Sequence, residues 1–272
     1  MIKTLIKKVL GFFGISIART NNCRNIDPFL LTQEWANLSS VINEFFRLKR
    51  VGFSWASPES VLGYLSPYRI RQYHSLTKTC DELNIPLSSS IVADVGTGVG
   101  YFLRHLHEHY NPKELWGFDM KVDDLEIAAH LCPSAKLEKK SFEDLPKGKF
   151  DVVFLMQVLE HVIAPAEVIR TIMKSLRPGG RLIITVPDGR TDQLIAGEFY
   201  PSMNSYWGHI NFWSIESWNI FMDENFRDMM PETGALPVET SNLFAVLKNP
   251  PSIGCEKSIE EELEFGNEIA KV

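Results

Sequence analysis

From residue 90 onward, short apolar runs alternate with stretches of helical periodicity, and this alternation limits the fold more than any other property of the chain. IVADV is followed by a helical stretch at 101–109, LWGF by one at 123–131, FDVVFL by one at 164–176 and GRLIITV by one at 215–222, with LFAVL last. Runs that are apolar at nearly every position and bounded by Gly, Pro and Asp suit strands covered on both faces. The expected core is therefore α/β, a parallel, doubly wound sheet. LFAVL follows a Pro- and Gly-containing stretch instead of a helix, so the last strand is expected to enter antiparallel. Residues 20–90 have a different texture, with an amphipathic stretch at 39–48 and another at 64–83 that carries Leu65, Tyr68, Ile70, Tyr73, Leu76 and Leu83. Pro28, Pro58, Pro67 and Pro86 punctuate this part, which reads as an N-terminal helical cap. A length of 272 residues fits one large domain with additions.

The charge balance excludes some partners. A formal net charge of -6 argues against a broad nucleic-acid footprint, which needs a surplus of Lys and Arg, so no nucleic-acid partner is expected. Cys23, Cys80, Cys132 and Cys255 are scattered and form no close pair of the metal-ligand kind, so free thiols are expected and no metal. At the amino terminus, Ile2, Leu5, Ile6, Val9, Leu10 and Phe13 recur at helical spacing opposite Lys3, Lys7 and Lys8. Three readings of residues 1–18 stand: a secretory signal ending at Ser16-Ile17-Ala18, an amphipathic helix on an anionic membrane, or a helix docked on the protein's own core. A spanning helix is disfavoured by the three lysines in so short a stretch.

IVADV leads into Gly96, Gly98 and Gly100, a turn in which missing Cβ atoms permit positive φ and close approach of a ligand. A glycine turn alone also suits dinucleotide and mononucleotide binders. Here Tyr101 stands where the dinucleotide fingerprint has its last Gly, and no Gly-Lys-Ser/Thr closes a phosphate loop. Asp94, just before the turn, would oppose a pyrophosphate at the helix start and suits a ligand carrying an ammonium and a sulfonium. Asp119, at the end of LWGFD and about 20 residues beyond the turn, is placed to bind ribose hydroxyls.

In order and spacing, VADVGTGVGYF, LWGFDM, SFEDLP, FDVVFLMQVLEHV and LRPGGRLIITVPD resemble the successive motifs of class I S-adenosylmethionine-dependent methyltransferases, over about residues 90–190. The resemblance implies a Rossmann-like, mostly parallel seven-stranded sheet with the last strand antiparallel, and S-adenosyl-L-methionine as cofactor. It assigns Asp94 to the loop and the methionine ammonium, Gly96, Thr97 and Gly98 to the methionine–ribose portion, Asp119 to the ribose hydroxyls and Met120 to the adenine. Ser141 stands where the family usually has an Asp for the adenine amino group, Phe142 would offer its backbone N–H to the ring, and Gln157 would flank the methionine end. Glu160 and His161 fall at a strand-to-helix corner, where a structural hydrogen-bonding role is expected.

Methyl transfer is an in-line displacement governed by alignment, so acceptor groups are expected beyond the strand ends, at residues 187–213 and in the cap. Asp188, Tyr206 and His209 are the candidate catalytic residues, with His209 as base or hydrogen-bond orienter of the acceptor. GHINFWS resembles a stretch of bacterial methyltransferases acting on sugars and surface polysaccharides, with Ser214 expected to cap the following helix. The expected organisation is an amphipathic helix at 1–20, a helical cap at 21–88, the methyltransferase domain at 89–250 and a tail at 251–272. The expected activity is O- or N-methylation of a small molecule, such as a sugar or lipid-linked sugar, in the cytoplasm and in reach of the inner face of the membrane through residues 1–18. The alternatives are a protein or nucleic-acid methyltransferase, which lacks support from a target-base motif because Asn249-Pro250-Pro251 ends in Ser252, and an inactive protein that keeps the fold.

Overall fold

The computed structural model describes residues 28–49, 67–189, 209–236 and 242–250. The expected helix at 1–20, the tail at 251–272 and Tyr206 lie outside them. Among the described residues, no helix is long and apolar enough to cross a membrane.

Two helices, α1 (Pro28–Lys49) and α2 (Pro67–Glu82), precede the sheet. Each opens on a proline, whose fixed φ suits a first helical turn where its missing N–H is not needed. The sheet region then runs β1 (Ile91–Val95), α3 (Tyr101–Tyr110), β2 (Glu114–Asp119), α4 (Val122–Leu131), β3 (Lys136–Lys139), β4 (Phe150–Met156), α5 (Pro165–Met173), β5 (Leu176–Pro187), α6 (Ile215–Phe226), β6 (Glu232–Ala235) and β7 (Asn242–Lys248). The seven strands lie in the order β3-β2-β1-β4-β5-β7-β6. The first five in chain order are mutually parallel, and β7 runs antiparallel to both β5 and β6. This is the Rossmann-like α/β architecture expected.

Both faces of the sheet are covered, and successive residues feed opposite layers. Ile91, Ala93 and Val95 of β1 and Leu182, Ile184 and Val186 of β5 pack with Val168, Ile169 and Ile172 of α5 and Trp218, Met222 and Phe226 of α6. Val92, Phe154 and Ile183 point the other way, onto Leu76 and Cys80 of α2 and Phe102, Leu103 and Leu106 of α3. A third cluster joins Leu38, Ile42 and Phe45 of α1 to Ile70, Tyr101, Ile127 and Leu131. Tyr101, the residue that breaks the dinucleotide fingerprint, is thus the buried seat of the α1 helix.

Two features depart from the periodicity. The edge strands β3 (KLEK) and β6 (ETGA) carry no apolar run, because short polar edges need satisfy only one neighbour. The RPGG stretch, ahead of the apolar run GRLIITV, already lies within β5. Leu176 already pairs with Phe150, the register jumps to Arg181 opposite Val152, and Gly179 takes φ 81° at this irregularity.

Trp218 is fully buried and its Nε1 donates to the Phe244 carbonyl at 2.9 Å, fastening α6 to β7. Trp218→Ala should therefore cost about 3–5 kcal/mol in a denaturant unfolding experiment. A loss under about 1 kcal/mol would show that α6 is not part of the cooperative core.

Candidate functional site

The parallel strands all finish at one edge of the sheet, and the chain winds in opposite directions from β1 and β4, leaving a crevice between their ends. Asp94, Gly96, Thr97, Gly98, Asp119, Met120, Ser141, Phe142, Gln157 and Asp188 all stand along this edge, each at or just beyond a strand end.

The turn after β1 is fixed by the end of β2. The amides of Gly96 and Thr97 both donate to the Phe118 carbonyl, at 2.8 and 3.0 Å, and the Gly98 amide donates to Asp119 Oδ2 at 2.8 Å. The other carboxylate oxygen of Asp119 accepts from the Lys121 amide at 2.9 Å. Gly96, Gly98 and Gly100 have φ of 77°, 53° and 83°. Their surroundings differ. A Cβ on Gly96 would stand 2.6 Å from Val158 Cγ2, and one on Gly100 would stand 2.7 Å from Ala128 Cβ. A Cβ on Gly98 would meet no protein atom within 4 Å. Two glycines therefore admit packing, and the middle one presents bare backbone to open space.

Behind the turn lies concentrated negative charge. Asp94 is buried; Thr97 Oγ1 donates to its Oδ2 at 2.8 Å, while its Oδ1 has no hydrogen-bond partner. Burial, seconded by repulsion from Asp119, pushes Asp94 up to about 7 against the hydroxyl of Thr97. Asp124, in the first turn of α4, is also buried with an unpartnered Oδ1, and burial followed by repulsion from Asp119 raises it to about 6. Nothing in the order of residues marks Asp124, because an acid in the first turn of a helix is ordinary. Three carboxylates in one corner disfavour a pyrophosphate and suit a cationic ligand. An ammonium and a sulfonium fit that requirement, and the open face of Gly98 leaves room for the chain that joins them.

Along the rest of the edge, Met120 is exposed and Phe142 is half-buried against the core. Ser141 caps the short turn Phe142–Asp144, accepting from the Glu143 amide at 3.3 Å and donating to Asp144 Oδ2 at 3.0 Å. This hydroxyl holds an exposed carboxylate beside the position where the resemblance expects an Asp, so Asp144 is a second residue missed from sequence. Gln157 takes φ 54°, a left-handed conformation rare outside Gly, and its Nε2 donates to Asn242 Oδ1 at 3.0 Å and Thr185 Oγ1 at 3.3 Å. Its strained backbone is thereby pinned to β5 and β7.

Residues 209–213 are anchored over the ends of β4 and β5. The amides of Ile210 and Asn211 donate to the Glu160 carbonyl at 2.8 and 3.1 Å, and Asn211 Nδ2 donates to the carbonyls of Leu159 and Val162 at 2.9 and 2.6 Å. Asp188 bridges to Trp213, and the Gly189 amide donates to the Trp213 carbonyl at 2.8 Å. Glu160 thus has the structural part expected, played by its carbonyl. His209 is buried, its ring 4.7 Å from that of His161. The end of β5 at Asp188 and the stretch 209–213 that begins with His209 are therefore fastened to each other. The Ser214–Ser217 capping box starts α6 as expected.

A family model described as Methyltransferase domain matches residues 68–226, more than half of the chain. The chain is similar to the tRNA U34 carboxymethyltransferase of Idiomarina loihiensis, with 32% identity over 133 residues that make up 44% of this chain and 41% of that protein. It is also similar to the tRNA U34 carboxymethyltransferase of Helicobacter pylori, with 36% identity over 108 residues, 36% of this chain and 41% of the relative. The chain spans about two fifths of the length of the curated relatives it matches. Among solved structures, a DhpI complex with SAH has a TM-score of 0.51 at 14% identity, covering 82% of this chain and 98% of that one, which is a likeness of fold.

The contrast between glycines gives a test. Gly100→Ala should destabilise the protein by about 1–3 kcal/mol through the clash with Ala128. Gly98→Ala should lose less stability, bearing only the positive φ, yet weaken S-adenosylmethionine binding at least tenfold by calorimetry. Unchanged affinity in a folded Gly98→Ala protein would remove the ligand from this face of the turn.

Proposed function

The chain belongs to the Methyltransferase domain family, that of class I S-adenosylmethionine-dependent methyltransferases, and we propose that it transfers a methyl group from S-adenosylmethionine to a nucleic-acid acceptor. The observation that carries the reaction is the carboxylate corner behind the open backbone of Gly98, formed by the buried Asp94 and Asp124 with the half-buried Asp119. The named activity of the relatives, which concerns a tRNA uridine, supports the acceptor class. Lys121 and Lys139 follow or close the ends of β2 and β3 beside Asp119 and supply positive charge at a position suited to phosphate contact.

When bound, S-adenosylmethionine supplies an electrophilic methyl on a positively charged sulfur. The chain's task is then placement. Asp94 is assigned to the ammonium, Asp119 to the ribose hydroxyls through the lone pairs left by its two amide donors, and Gly96, Thr97 and Gly98 to the methionine–ribose portion. Met120, Phe142 and the Ser141–Asp144 pair are assigned to the adenine, and Gln157 to the methionine end. Together these residues would hold S-adenosylmethionine with its methyl turned toward the acceptor, so that alignment is what the chain would contribute. His209 is assigned to the acceptor side with Asp188 and Tyr206, to receive the acceptor proton when the attacking atom carries one.

The small, sugar-type acceptor is the second reading, supported by the formal net charge of -6, which opposes a large nucleic-acid footprint. Incubating the protein with methyl-labelled S-adenosylmethionine and either total tRNA or a pool of nucleotide sugars separates the two. Label is expected in tRNA, in a salt-sensitive manner. Label confined to the sugar pool would replace the first reading with the second, and label in neither from a cofactor-binding protein would sink both.

Cofactor binding should depend on pH through Asp94. Its pKa in the folded protein, about 7, lies above the ordinary 3.8, so the carboxylate that attracts the cation is increasingly neutralised as pH falls below 7. Affinity should drop on the order of tenfold from pH 7 to pH 5.5, with a proton released on binding in that window. Calorimetry in buffers of different ionisation enthalpy measures both. Asp94→Asn should bind more weakly with a flat profile, and a flat profile in the unmodified protein would detach Asp94 from the ligand.

A further inference from the structure

Glu34 of α1, His74 of α2 and His105 and His109 of α3 converge where the three helices meet, with one donor atom from each lying within 4.8 Å of all the others. His105 and His109 are four residues apart and so share one face of α3. His74 Nε2 lies 2.9 Å from Glu34 Oε2, while His105 Nδ1 and His109 Nε2 each lie 3.9 Å from Glu34 Oε1. The three rings pack edge to face or tilted, with centroids 4.5–4.8 Å apart.

His105 shows what this cluster lacks. Thr77 Oγ1 donates its proton to the Tyr73 carbonyl at 3.0 Å, so its contact with His105 Nε2, at 3.2 Å, requires the ring to be the donor there. That fixes the tautomer with a bare lone pair on Nδ1. The side chain of His105 is only 2% exposed, and Nδ1 has no hydrogen-bond partner. It faces a carboxylate oxygen, which can only accept as well. Two acceptors facing each other across a buried gap call for a cation between them.

We propose that Glu34, His74, His105 and His109 form a binding site for a divalent transition ion of the zinc type, which staples α1 and α2 to α3. Three imidazoles and one carboxylate are a four-ligand set of that class, and zinc–nitrogen bonds of about 2.0–2.1 Å put tetrahedral ligand atoms about 3.4 Å apart. The separations from Glu34, 2.9 and 3.9 Å, bracket this value, and all four ligand atoms lie within 4.8 Å of one another, so shifts of about an ångström close the shell. Thr77 acts as the outer partner, orienting His105 by its second ring nitrogen. The four ligands leave no open position, so the ion has a structural role. It joins two helices before the sheet to the helix that begins at the glycine turn.

The test uses the untagged full chain, stripped with EDTA and titrated with Zn2+ by calorimetry, with Co2+ as a spectroscopic probe. One equivalent of Zn2+ should bind, Co2+ should give visible absorption bands of tetrahedral intensity, and saturating Zn2+ should raise the melting temperature. His109→Ala, at a half-exposed position that should leave the fold intact, and Glu34→Gln should each weaken Zn2+ binding at least ~100-fold and abolish the melting shift. His161→Ala should leave binding unchanged; it probes the other close cluster among the described residues, Glu160, His161 and His209. Absence of Zn2+ binding overturns the proposal and leaves an ion-pair network only. Binding that survives in His109→Ala and Glu34→Gln, or is lost in His161→Ala, overturns it by placing the ion elsewhere.

Discussion

The end of β2 governs the turn after β1. Phe118 accepts two amides from that turn through its carbonyl and Asp119 a third through its side chain, so the backbone of residues 96–98 takes its shape from a neighbouring strand. The dependence also runs outward. α3 can start where it does only because the turn is held, and Tyr101 at its head receives α1. The same turn passes within van der Waals distance of Val158 and Ala128, which it can do only without side chains at Gly96 and Gly100. Sheet, cap and candidate cofactor site therefore meet at a few backbone hydrogen bonds between parallel neighbours.

Two polar groupings lie along α3, and they are opposite in kind. Beside the N-terminus of α3, the carboxyls of Asp94 and Asp124 have raised pKa values, because burial and repulsion from Asp119 both oppose their charge. Beside its later turns, one carboxylate sits among imidazoles and is held ionised. The first grouping is destabilising unless a cation arrives from solution. The second is partly neutralised from within by its own histidines. Such an arrangement keeps the costly, unsatisfied charge at the open edge of the sheet and the better satisfied one at the junction with the cap.

Much of the fold was legible because burial on both faces writes continuous apolar runs into the central strands; β1, β2, β4, β5 and β7 all carry one. KLEK and ETGA do not, since an edge strand takes its register from its neighbour and its composition from solvent. The candidate cofactor residues were legible through their order along the chain, which matches the order of strand ends. Asp124 and Asp144 were not, because each resembles an ordinary acid near a helix start until its burial or partner is known. Residues 209–213 are held chiefly by carbonyl oxygens of Leu159, Glu160 and Val162, groups that every residue type possesses. The histidine cluster left no linear motif either: His74 is 40 residues from Glu34, and the remaining ligands come from a third helix.

The strand order also bears on how the chain is completed during synthesis. β1 is central, yet one of its neighbours, β4, ends at Met156, and the outer neighbour of β5 ends at Lys248. A nascent chain that has reached β3 has one edge of β1 unpaired, and one that has reached β5 exposes the row of amides and carbonyls destined for β7. Non-local pairing of this kind is slow, and open edges are templates for association with other chains. The antiparallel last strand is therefore what finally closes the apolar interior of the sheet, after almost all of the described chain has been made.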